Sequence, residues 1–356
     1  MHIHTLRKIT KNFVHEIKLA NSGKKTSLAF IVHELSPSPI VKDGEVFMSI
    51  VIGGTVGKIA TLKKNGNAIQ IIGNEEEQLS FKDGKEFLYF INKKLPENID
   101  TLALNFAYPI KPIFADGKLD GILLSVTKEG GFHGLVGKQV GQEIENYVLA
   151  KRNKKIQVSV ANDTVCLLTS GLSRFKKREL AGGVVGTGLN FAFFLSNDKL
   201  VNLESANFDK FPQTKIGKKV DEKSTQIDTY LFEKEVAGAY LYKHFNFILE
   251  ENSIDYPNIA STEELDKISR MNIPHVSEIA QGLLNRSAQL VACQIAGITL
   301  FKKQNMVFNM EGSLFWKGNN YKKTIKETVR QLAPEYEIDF VETENSAILG
   351  AAKLIC

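Results

Sequence analysis

A short polar segment, Asn162-Asp163-Thr164, directly follows a segment with the alternating pattern of a β-strand. Apolar residues alternate with polar ones over 156–160, and this period of two indicates a strand. Ligands of α/β proteins bind at the carboxyl ends of the strands. A carboxylate at such a place can accept a proton from a bound alcohol, so the pattern makes Asp163 a candidate general base.

The turn Gly186-Thr187-Gly188 closes an apolar run and is a candidate phosphate-binding loop. Glycines allow backbone N–H groups to approach a phosphate closely. Each motif also has a simpler interpretation, because Asn-Asp-Thr is a common turn or helix cap and Gly-Thr-Gly is a common tight hairpin. Their occurrence together, with the motifs described below, favours the chemical interpretations.

Size and composition indicate a globular protein of two domains. The chain has 356 residues, which is too long for one ordinary core. Its 43% hydrophobic and 24% charged residues are typical of soluble globular proteins. The net charge of +5 comes from scattered lysines without the interleaved aromatic residues of nucleic-acid binders. No nucleic-acid partner is therefore expected.

The cysteines and the amino-terminal segment predict a cytoplasmic protein. Cys166, Cys293 and Cys356 are far apart and form no CxxC pair, which is typical of a reduced compartment. The seven histidines form no metal-binding pattern. Lysines and a glutamate interrupt the first twenty residues, so neither a signal peptide nor a membrane span is predicted there.

Strand and helix patterns alternate along the chain. A buried strand over 46–52 is followed by a second turn, Gly53-Gly54-Thr55. Other strands are predicted at 58–62, 68–72, 101–108, 121–128, 156–160, 191–194, 201–205, 306–310 and 338–341. Helices are predicted at 5–19, 83–95, 135–151, 229–249, 277–296, 321–332 and 347–355. The alternation, with its two strand–Gly–Thr turns, predicts two α/β domains around one nucleotide cleft.

The motifs occur in the order in which they occur in the hexokinase family, and the resemblance covers nearly the whole chain. VFMSIVIGGT resembles the first phosphate loop, VANDTV the segment with the catalytic base, and VVGTGLN the second phosphate loop. Further segments that resemble family motifs are FAYP, SVTK, VNLESANF, LFEKEVAGAYL, NRSAQLVACQIAGI, FNMEGSLF and AILGAAKLI. The chain is shorter than a typical hexokinase unit, which implies trimmed loops.

The resemblance implies an α/β protein with the two-lobed sugar-kinase and actin-like (ribonuclease H-like) fold and a central interlobe cleft. It places a small lobe at 45–162 plus 343–356 and a large lobe at 1–44 and 163–342. The implied activity is phosphorylation of the 6-hydroxyl of glucose or a related hexose, with ATP and Mg²⁺ as cofactors. A hexose and a nucleotide are the implied partners, a membrane is not, and the chain is expected to be a monomer or homodimer.

The resemblance also assigns roles residue by residue. Asp163 is expected to accept the proton of the sugar hydroxyl, and Lys128 is the second expected catalytic residue. The expected hexose-binding residues, whose polar groups suit hydroxyls that both donate and accept, are Thr127, Lys128, Asn162, Asp163, Asn190, Glu204 and Glu233. The expected phosphate- and adenosine-binding residues are Gly53, Gly54, Thr55, Gly186, Thr187, Gly188, Gly312 and Ser313. No residue is expected to be a dedicated metal ligand.

Departures from the family pattern are concentrated on the phosphate side. Val51 stands where the family has an aspartate associated with Mg²⁺, and Val56 stands where it has an asparagine. Cys166-Leu167 replaces the usual Gly-Thr after the base. On the sugar side, Ala107 replaces a serine and Tyr230 a glutamine. These changes predict a kinase whose activity is reduced.

Three functions remain open at this point. The first is an ATP-dependent hexokinase with Asp163 as its base. The second is a sensor or regulator that binds a hexose without phosphorylating it, which Val51 favours and the retained Asp163 disfavours. The third is another kinase of the same superfamily, but the zinc-binding cysteine cluster of the repressor-type glucokinases is absent from the sequence.

Overall fold

The computed structural model describes residues 1–53, 56–125 and 131–356. These residues form two compact units. The first unit contains Met1–Phe30, Gly183–Phe191 and Leu203–Glu342. The second unit contains Ile31–Gly182, Ala192–Asn202 and Thr343–Cys356. The division into a small lobe at 45–162 plus 343–356 and a large lobe stays a prediction.

The strands of the described residues are numbered in chain order. In the first half of the chain they are β1 (Ile31–Glu34), β2 (Val46–Ile52), β3 (Val56–Asn65), β4 (Ala68–Gln78), β5 (Thr101–Phe106), β6 (Ile110–Ala115), β7 (Lys118–Leu123) and β8 (Gln157–Ala161). In the second half they are β9 (Leu180–Val185), β10 (Leu189–Phe194), β11 (Lys199–Asn202), β12 (Met306–Glu311) and β13 (Ile338–Val341).

The α-helices of the described residues are numbered in the same way. The first six are α1 (Ile3–Asn21), α2 (Gly84–Lys94), α3 (Val140–Arg152), α4 (Asp163–Ser170), α5 (Lys215–Glu222) and α6 (Leu231–Val236). The others are α7 (Gly238–Glu251), α8 (Thr262–Ser269), α9 (Val276–Lys302), α10 (Ser313–Lys317), α11 (Tyr321–Leu332) and α12 (Ser346–Lys353).

The second unit is built on a five-stranded sheet with the order β4-β3-β2-β5-β8. β2, β5 and β8 are parallel, and β3 and β4 extend the sheet in antiparallel pairs. Every residue of β5 is buried, as expected for a central strand that is covered on both faces. This arrangement places the carboxyl ends of β2, β5 and β8 at one edge of the sheet, where Gly53 and Asn162 follow their strands.

Helices cover both faces of this sheet. Apolar side chains of α2 and α3, including Phe87 and Ile144, pack on one face. Apolar side chains of α4 and α12, including Val165 and Ile348, pack on the other. α4 and α12 approach closely at Gly350, where an added Cβ would overlap the carbonyl oxygen of Cys166. The helix that begins with Asp163 is therefore held by direct backbone packing.

The first unit is organised around the long helix α9. α1, α6, α7, α8 and α11 all pack against it, and most of its residues from Ser287 to Thr299 are buried. At Gly297, an added Cβ would lie 2.7 Å from the ring of Phe13, so a glycine is needed for α1 to approach. β12 and β13 lie in this unit and are parallel, and they end a six-stranded sheet with the order β1-β11-β10-β9-β12-β13.

Two predicted helices differ from the structure. The single helix predicted over 229–249 is two helices, because the chain is extended at Ala237 (ψ 153°) and the N–H of Gly238 donates to the carbonyl of Gly186. The helix predicted from residue 135 begins at Val140, where the carboxylate of Asp120 accepts hydrogen bonds from the first turn. Both boundaries depend on residues distant in sequence.

Candidate active site

The predicted base lies where β8 passes into α4. Asn162 is the N-cap of the helix, and its Oδ1 accepts a hydrogen bond of 2.9 Å from the N–H of Thr164. Asp163 is the first helical residue, and its Oδ1 accepts from the same N–H at 2.7 Å. The segment is therefore a helix cap, as the simpler interpretation predicts. The cap also fixes the carboxylate in the first turn, where the helix dipole favours negative charge.

The environment of Asp163 makes it a stronger base than an ordinary aspartate. Solvent reaches the side chain, but surrounding protein atoms displace much of the bulk water, and this desolvation raises the pKa of the carboxyl. Hydrogen bonds from Thr164 and Asn162 partly offset the rise. A raised pKa increases the driving force for accepting a proton.

Asn202, which the sequence analysis does not single out, contacts this segment. Its Nδ2 lies 3.5 Å from Oδ1 of Asn162, and its side chain is buried. Asn202 ends β11, so it is a buried polar residue at a strand end. That pattern is the signal that could have identified it. We interpret Asn202 as a residue that orients the predicted hexose-binding amide of Asn162.

The first predicted phosphate loop is only partly described. Gly54 and Thr55 lie outside the described residues, as do Thr127 and Lys128. Gly53 follows β2, and an added Cβ there would lie 2.7 Å from the Cβ of Ala107. The loop therefore approaches the residue that replaces the family's serine so closely that only glycine fits at Gly53.

Val51, the residue that the resemblance aligns with a metal-associated aspartate, has an apolar environment. Val51 lies in β2 opposite Lys58, and its side chain packs against the apolar cluster beneath α4 and α12. The nearest upstream acids are bound at the other end of β2, since Asp43 accepts from the N–H of Gly66 and Glu45 from the hydroxyl of Thr101. Neither acid is available to replace the missing carboxylate.

Three predicted hexose-binding residues of the first unit lie together. The Nδ2 of Asn190 donates to Oε1 of Glu204 at 3.2 Å, and Oε2 of Glu233 accepts from the N–H of Leu189 at 2.9 Å. Glu204 has a left-handed backbone (φ 49°), a conformation that costs free energy in a non-glycine residue and is common at functional sites. The result is a cluster of one amide and two carboxylates beside the start of β10.

Electrostatic interactions link this cluster to two tyrosines. Burial raises the pKa of Glu233, and the charge of Glu204 adds to the rise, while the hydrogen bond from Leu189 opposes it. Tyr230 also has a left-handed backbone (φ 50°). Burial and the charges of both glutamates raise the pKa of Tyr230. Burial and the charge of Glu233 likewise raise the pKa of Tyr240. Both phenols therefore stay protonated and can donate hydrogen bonds.

The second predicted phosphate loop is a hairpin turn between β9 and β10. The N–H of Gly186 donates to the carbonyl of Gly188 at 3.0 Å. The turn also receives hydrogen bonds from the amino terminus of α7, because Gly238 and Ala239 donate to Gly186 and Thr187 at 2.8 and 3.1 Å. The hairpin interpretation is correct, and the hairpin is held against α7.

The hairpin lines a cavity of about 620 Å³, which is within the range of about 300–1,000 Å³ that is usual for small-molecule sites. Its wall consists of Gly186, Thr187, Gly238, Ala239, Tyr242, Ala260, Ser261, Thr262, Glu263, Asp266, Lys267, Ser313, Leu314, Lys317 and Gly318. Gly312 has a φ of 117°, and an added Cβ would overlap the carbonyl oxygen of Val185. Glycines thus let the segment before Ser313 pack against the hairpin and shape this cavity.

The structure also bears on metal binding and on membrane insertion. Within the described residues, no group of three or more His, Cys, Asp or Glu side chains is arranged to bind a metal ion. None of their helices has the length and apolar character that a membrane span needs.

The sheet order, the capped aspartate and the Gly-Thr-Gly hairpin define an α/β protein with the two-lobed sugar-kinase fold. The structure of hexokinase from Schistosoma mansoni complexed with glucose matches with a TM-score of 0.80 at 19% identity. The match covers 100% of this chain and 95% of that one. The predicted fold class is confirmed.

The chain belongs to the hexokinase family. One hexokinase family model matches residues 1–172, and a second matches 180–253 and 246–356. Hexokinase-1 of Saccharomyces cerevisiae is 27% identical over 69% of this chain and 58% of its own length. Hexokinase-2 of Candida albicans is 25% identical over 77% of this chain and 63% of its own length. The chain thus spans less than two thirds of both relatives, while the predicted family is confirmed.

Proposed function

We propose that this protein is an ATP-dependent hexokinase that phosphorylates the 6-hydroxyl of glucose or a related hexose. The observation that carries the proposal is the position of Asp163, a carboxylate with a raised pKa that a helix cap holds at the end of β8. A protein that only binds a sugar does not need a base at this place. Membership of the hexokinase family supports the same reaction.

Asp163 acts as the general base in this reaction. The 6-hydroxyl oxygen forms a bond to the γ-phosphorus of ATP, the bond from that phosphorus to the bridging oxygen of ADP breaks, and the hydroxyl proton passes to the carboxylate. Thr164 holds Oδ1 of the carboxylate through its N–H and its hydroxyl at 2.7 and 3.3 Å. A base positioned in this way contributes about 10²–10⁴-fold to the rate of proton transfer reactions.

Asn190, Glu204 and Glu233 bind the hexose hydroxyls, while the roles of Asn162, Thr127 and Lys128 in hexose binding stay predictions. Sugar hydroxyls donate and accept, so an amide beside two carboxylates offers complementary partners. Glu233 is largely buried. A substrate that lacks the matching hydroxyl would therefore leave this carboxylate without that hydrogen bond, which costs free energy. The site therefore selects against deoxy analogues.

The nucleotide occupies the cavity lined by the Gly-Thr-Gly hairpin and Ser313. Lys267 and Lys317 line this cavity together with Glu263 and Asp266, and Lys267 pairs with Glu263, so the phosphates of the nucleotide compete with these carboxylates for the two lysines. Mg²⁺ enters as part of the nucleotide substrate, held chiefly by phosphates and water, because magnesium in phosphoryl-transfer sites needs few protein carboxylates. The phosphate contacts of Gly53, Gly54 and Thr55 stay predictions, and Val51 stands where the resemblance places a carboxylate.

A second candidate function is a hexose sensor or regulator without turnover. The packing of Val51 against an apolar cluster favours it, since phosphoryl transfer depends on positioning and on neutralising charge. Loss of an outer partner of a metal typically costs about 10–100-fold, so reduced turnover is the expected consequence under the first proposal. The cytoplasmic location and the monomeric or homodimeric state stay predictions.

The test is glucose-dependent ADP release from Mg-ATP, measured with the purified chain and with Asp163→Asn. Asp116→Asn, at the exposed turn between β6 and β7, is the matched control because it removes the same charge. The proposal expects turnover in the original chain and in the control, and a loss of about 10²–10⁴-fold in Asp163→Asn. Absence of turnover in all three, with glucose still raising the melting temperature, would establish the sensor instead.

A further inference from the structure

The segment Ser36-Pro37-Ser38-Pro39 contains two consecutive Ser-Pro pairs and connects β1 to β2. Its ends are anchored, because the N–H of Leu35 donates to Asp198 and the N–H groups of Ile40 and Val41 donate to the carbonyl of Ile355. Between these anchors the chain has no regular secondary structure. The segment is therefore a short exposed loop held at fixed positions on both sides.

The two serines of this loop differ in accessibility. The hydroxyl of Ser36 donates to the carbonyl of Ser38 at 2.5 Å, and its side chain is half-buried. Ser38 is exposed, and its hydroxyl has no hydrogen-bond partner in the part of the chain that the structure describes. A residue before proline is restricted to extended backbone, so Ser38 is presented in an extended, solvent-facing segment.

Two lysines lie on the wall of a cavity that the loop borders. The cavity has a volume of about 240 Å³, and Lys177 and Lys353 line it together with all four residues of the loop. Each ammonium donates one hydrogen bond to a backbone carbonyl, that of Asn197 for Lys177 and that of Asn67 for Lys353. An ammonium has three donors, and neither lysine forms a salt bridge within the described residues. Both can bind an anion.

We propose that Ser38 is a phosphorylation site for a proline-directed serine/threonine protein kinase, and that Lys177 and Lys353 hold the resulting phosphate. The Ser38 oxygen forms a bond to the γ-phosphorus of ATP, the bond to ADP breaks, and the hydroxyl proton passes to a base of that kinase. The product carries nearly two negative charges at neutral pH and three acceptor oxygens. Charge-assisted hydrogen bonds to lysine are the strong kind.

Without the two lysines, the cavity would not favour a phosphate. Thr169 at the end of α4 and Leu354 after α12 also line the cavity, and helix carboxyl ends disfavour a negative charge. Burial lowers the pKa of Lys353, the charge of Cys356 opposes this change, and the charge of Lys64 adds to it; a neighbouring phosphate would raise the pKa. Lys177 and Lys353 already interact electrostatically with Asp198 and Cys356, respectively, so a phosphate on Ser38 would compete with these groups for two cations that line the same cavity as the Ser38 residue.

The experiment treats the purified full chain with a purified proline-directed kinase and ATP, and maps the phosphate by mass spectrometry. One phosphate is expected on Ser38, lost in Ser38→Ala and retained in Ser36→Ala, with none in a sample without the kinase. A synthetic peptide of residues 33–43 serves as the positive control. A folded chain that remains unmodified, or is modified mainly at Ser36 while the peptide is phosphorylated on Ser38, would overturn the proposed site.

A second measurement tests the two lysines. The phosphorylated chain and its Lys177→Gln/Lys353→Gln variant are treated with a phosphatase, and the rate of phosphate release is compared. Release from the variant is expected to be about fivefold faster or more, because the charged partners are gone. Lys111→Gln/Lys155→Gln, at exposed positions of the same unit, should release phosphate at the unaltered rate. Equal rates in all three proteins would show that the lysines do not hold the phosphate.

Discussion

The N–H of Leu189 donates a hydrogen bond of 2.9 Å to Oε2 of Glu233. Leu189 is the residue after the Gly-Thr-Gly hairpin, and Glu233 is a predicted hexose-binding residue on α6. An added Cβ at Gly188 would lie 3.0 Å from the same carboxylate. The predicted second phosphate loop and the predicted sugar-binding residue Glu233 of this hexokinase-family protein are therefore in direct contact, so a substitution in one is expected to affect the other.

Gly312→Ala should strongly destabilise the protein. The added methyl group would overlap the carbonyl of Val185, and the φ of 117° is unfavourable for alanine. A cost of about 3 kcal/mol or more is expected from the clash and the backbone strain together. Urea unfolding measures it. Gly282→Ala, where the new Cβ meets nothing within 4 Å in α9, should instead leave stability unchanged or raise it by up to about 1 kcal/mol.

The rate of phosphoryl transfer should fall as the pH is lowered. The fall should occur at a higher pH than it would if the base had the pKa of an ordinary aspartate. Desolvation raises the pKa of Asp163, and the base works only when ionised. Activity is therefore full above the raised pKa and is lost as the pH falls through it. A profile of kcat/KM against pH measures this limb. A limb at the pKa of an unperturbed aspartate would contradict the assignment.

Asp163→Asn should stabilise the folded protein at neutral pH while it removes activity. A folded-state pKa above the unfolded value means that the folded state binds more protons, so stability falls as the pH rises through these values. The neutral amide lacks that dependence. Melting temperatures of both proteins measured between pH 3 and 7 should converge at the acid end. A less stable variant at pH 7 would indicate that the ionised carboxylate contributes to stability.

The buried ion pair of Glu235 and Arg286 should be needed to hold α6. Their side chains lie 3.0 Å apart, and that of Glu235 is 1% exposed. Glu235 also accepts a hydrogen bond of 2.8 Å from the N–H of Thr214. Glu235→Ala should cost up to about 3–5 kcal/mol, because it leaves the half-buried guanidinium of Arg286 without its partner.

Two comparisons test this explanation by urea unfolding. Removing both charges in Glu235→Ala/Arg286→Ala should cost less than the sum of the two single changes, since no unpaired charge remains. Glu263→Ala removes an exposed pair with Lys267 and should cost no more than about 1 kcal/mol. Equal costs for Glu235 and Glu263 would show that burial of the pair is unimportant.

Val51→Asp should raise the rate of phosphoryl transfer. It restores a carboxylate on the phosphate side, where an outer metal partner is typically worth about 10–100-fold. The variant should also be less stable, since Val51 packs against an apolar cluster. Val51→Asn is the control, because it adds polarity without charge and should not raise kcat. Equal effects of the two changes would contradict a role for the missing charge.

The sequence by itself determined the fold class, the family and many of the strands and helices, although β1 and α5 were not predicted. These follow from local patterns, such as the alternation over 156–160 that became β8 and the polar segment that caps α4. The hairpin at Gly186-Thr187-Gly188 was predictable for the same reason, since glycine content controls a turn through short-range sterics. The predicted roles of the individual site residues stay predictions.

Only the tertiary structure decided how these local elements meet. The break at Ala237, the cap that Asp120 gives to α3, and the contact of Asn202 with Asn162 each join residues far apart in sequence. The left-handed backbones of Glu204 and Tyr230 also oppose their intrinsic preferences. Periodicity and propensity describe the free energy of a segment with its neighbours in the chain, whereas these features depend on long-range contacts that exist only once the fold has closed.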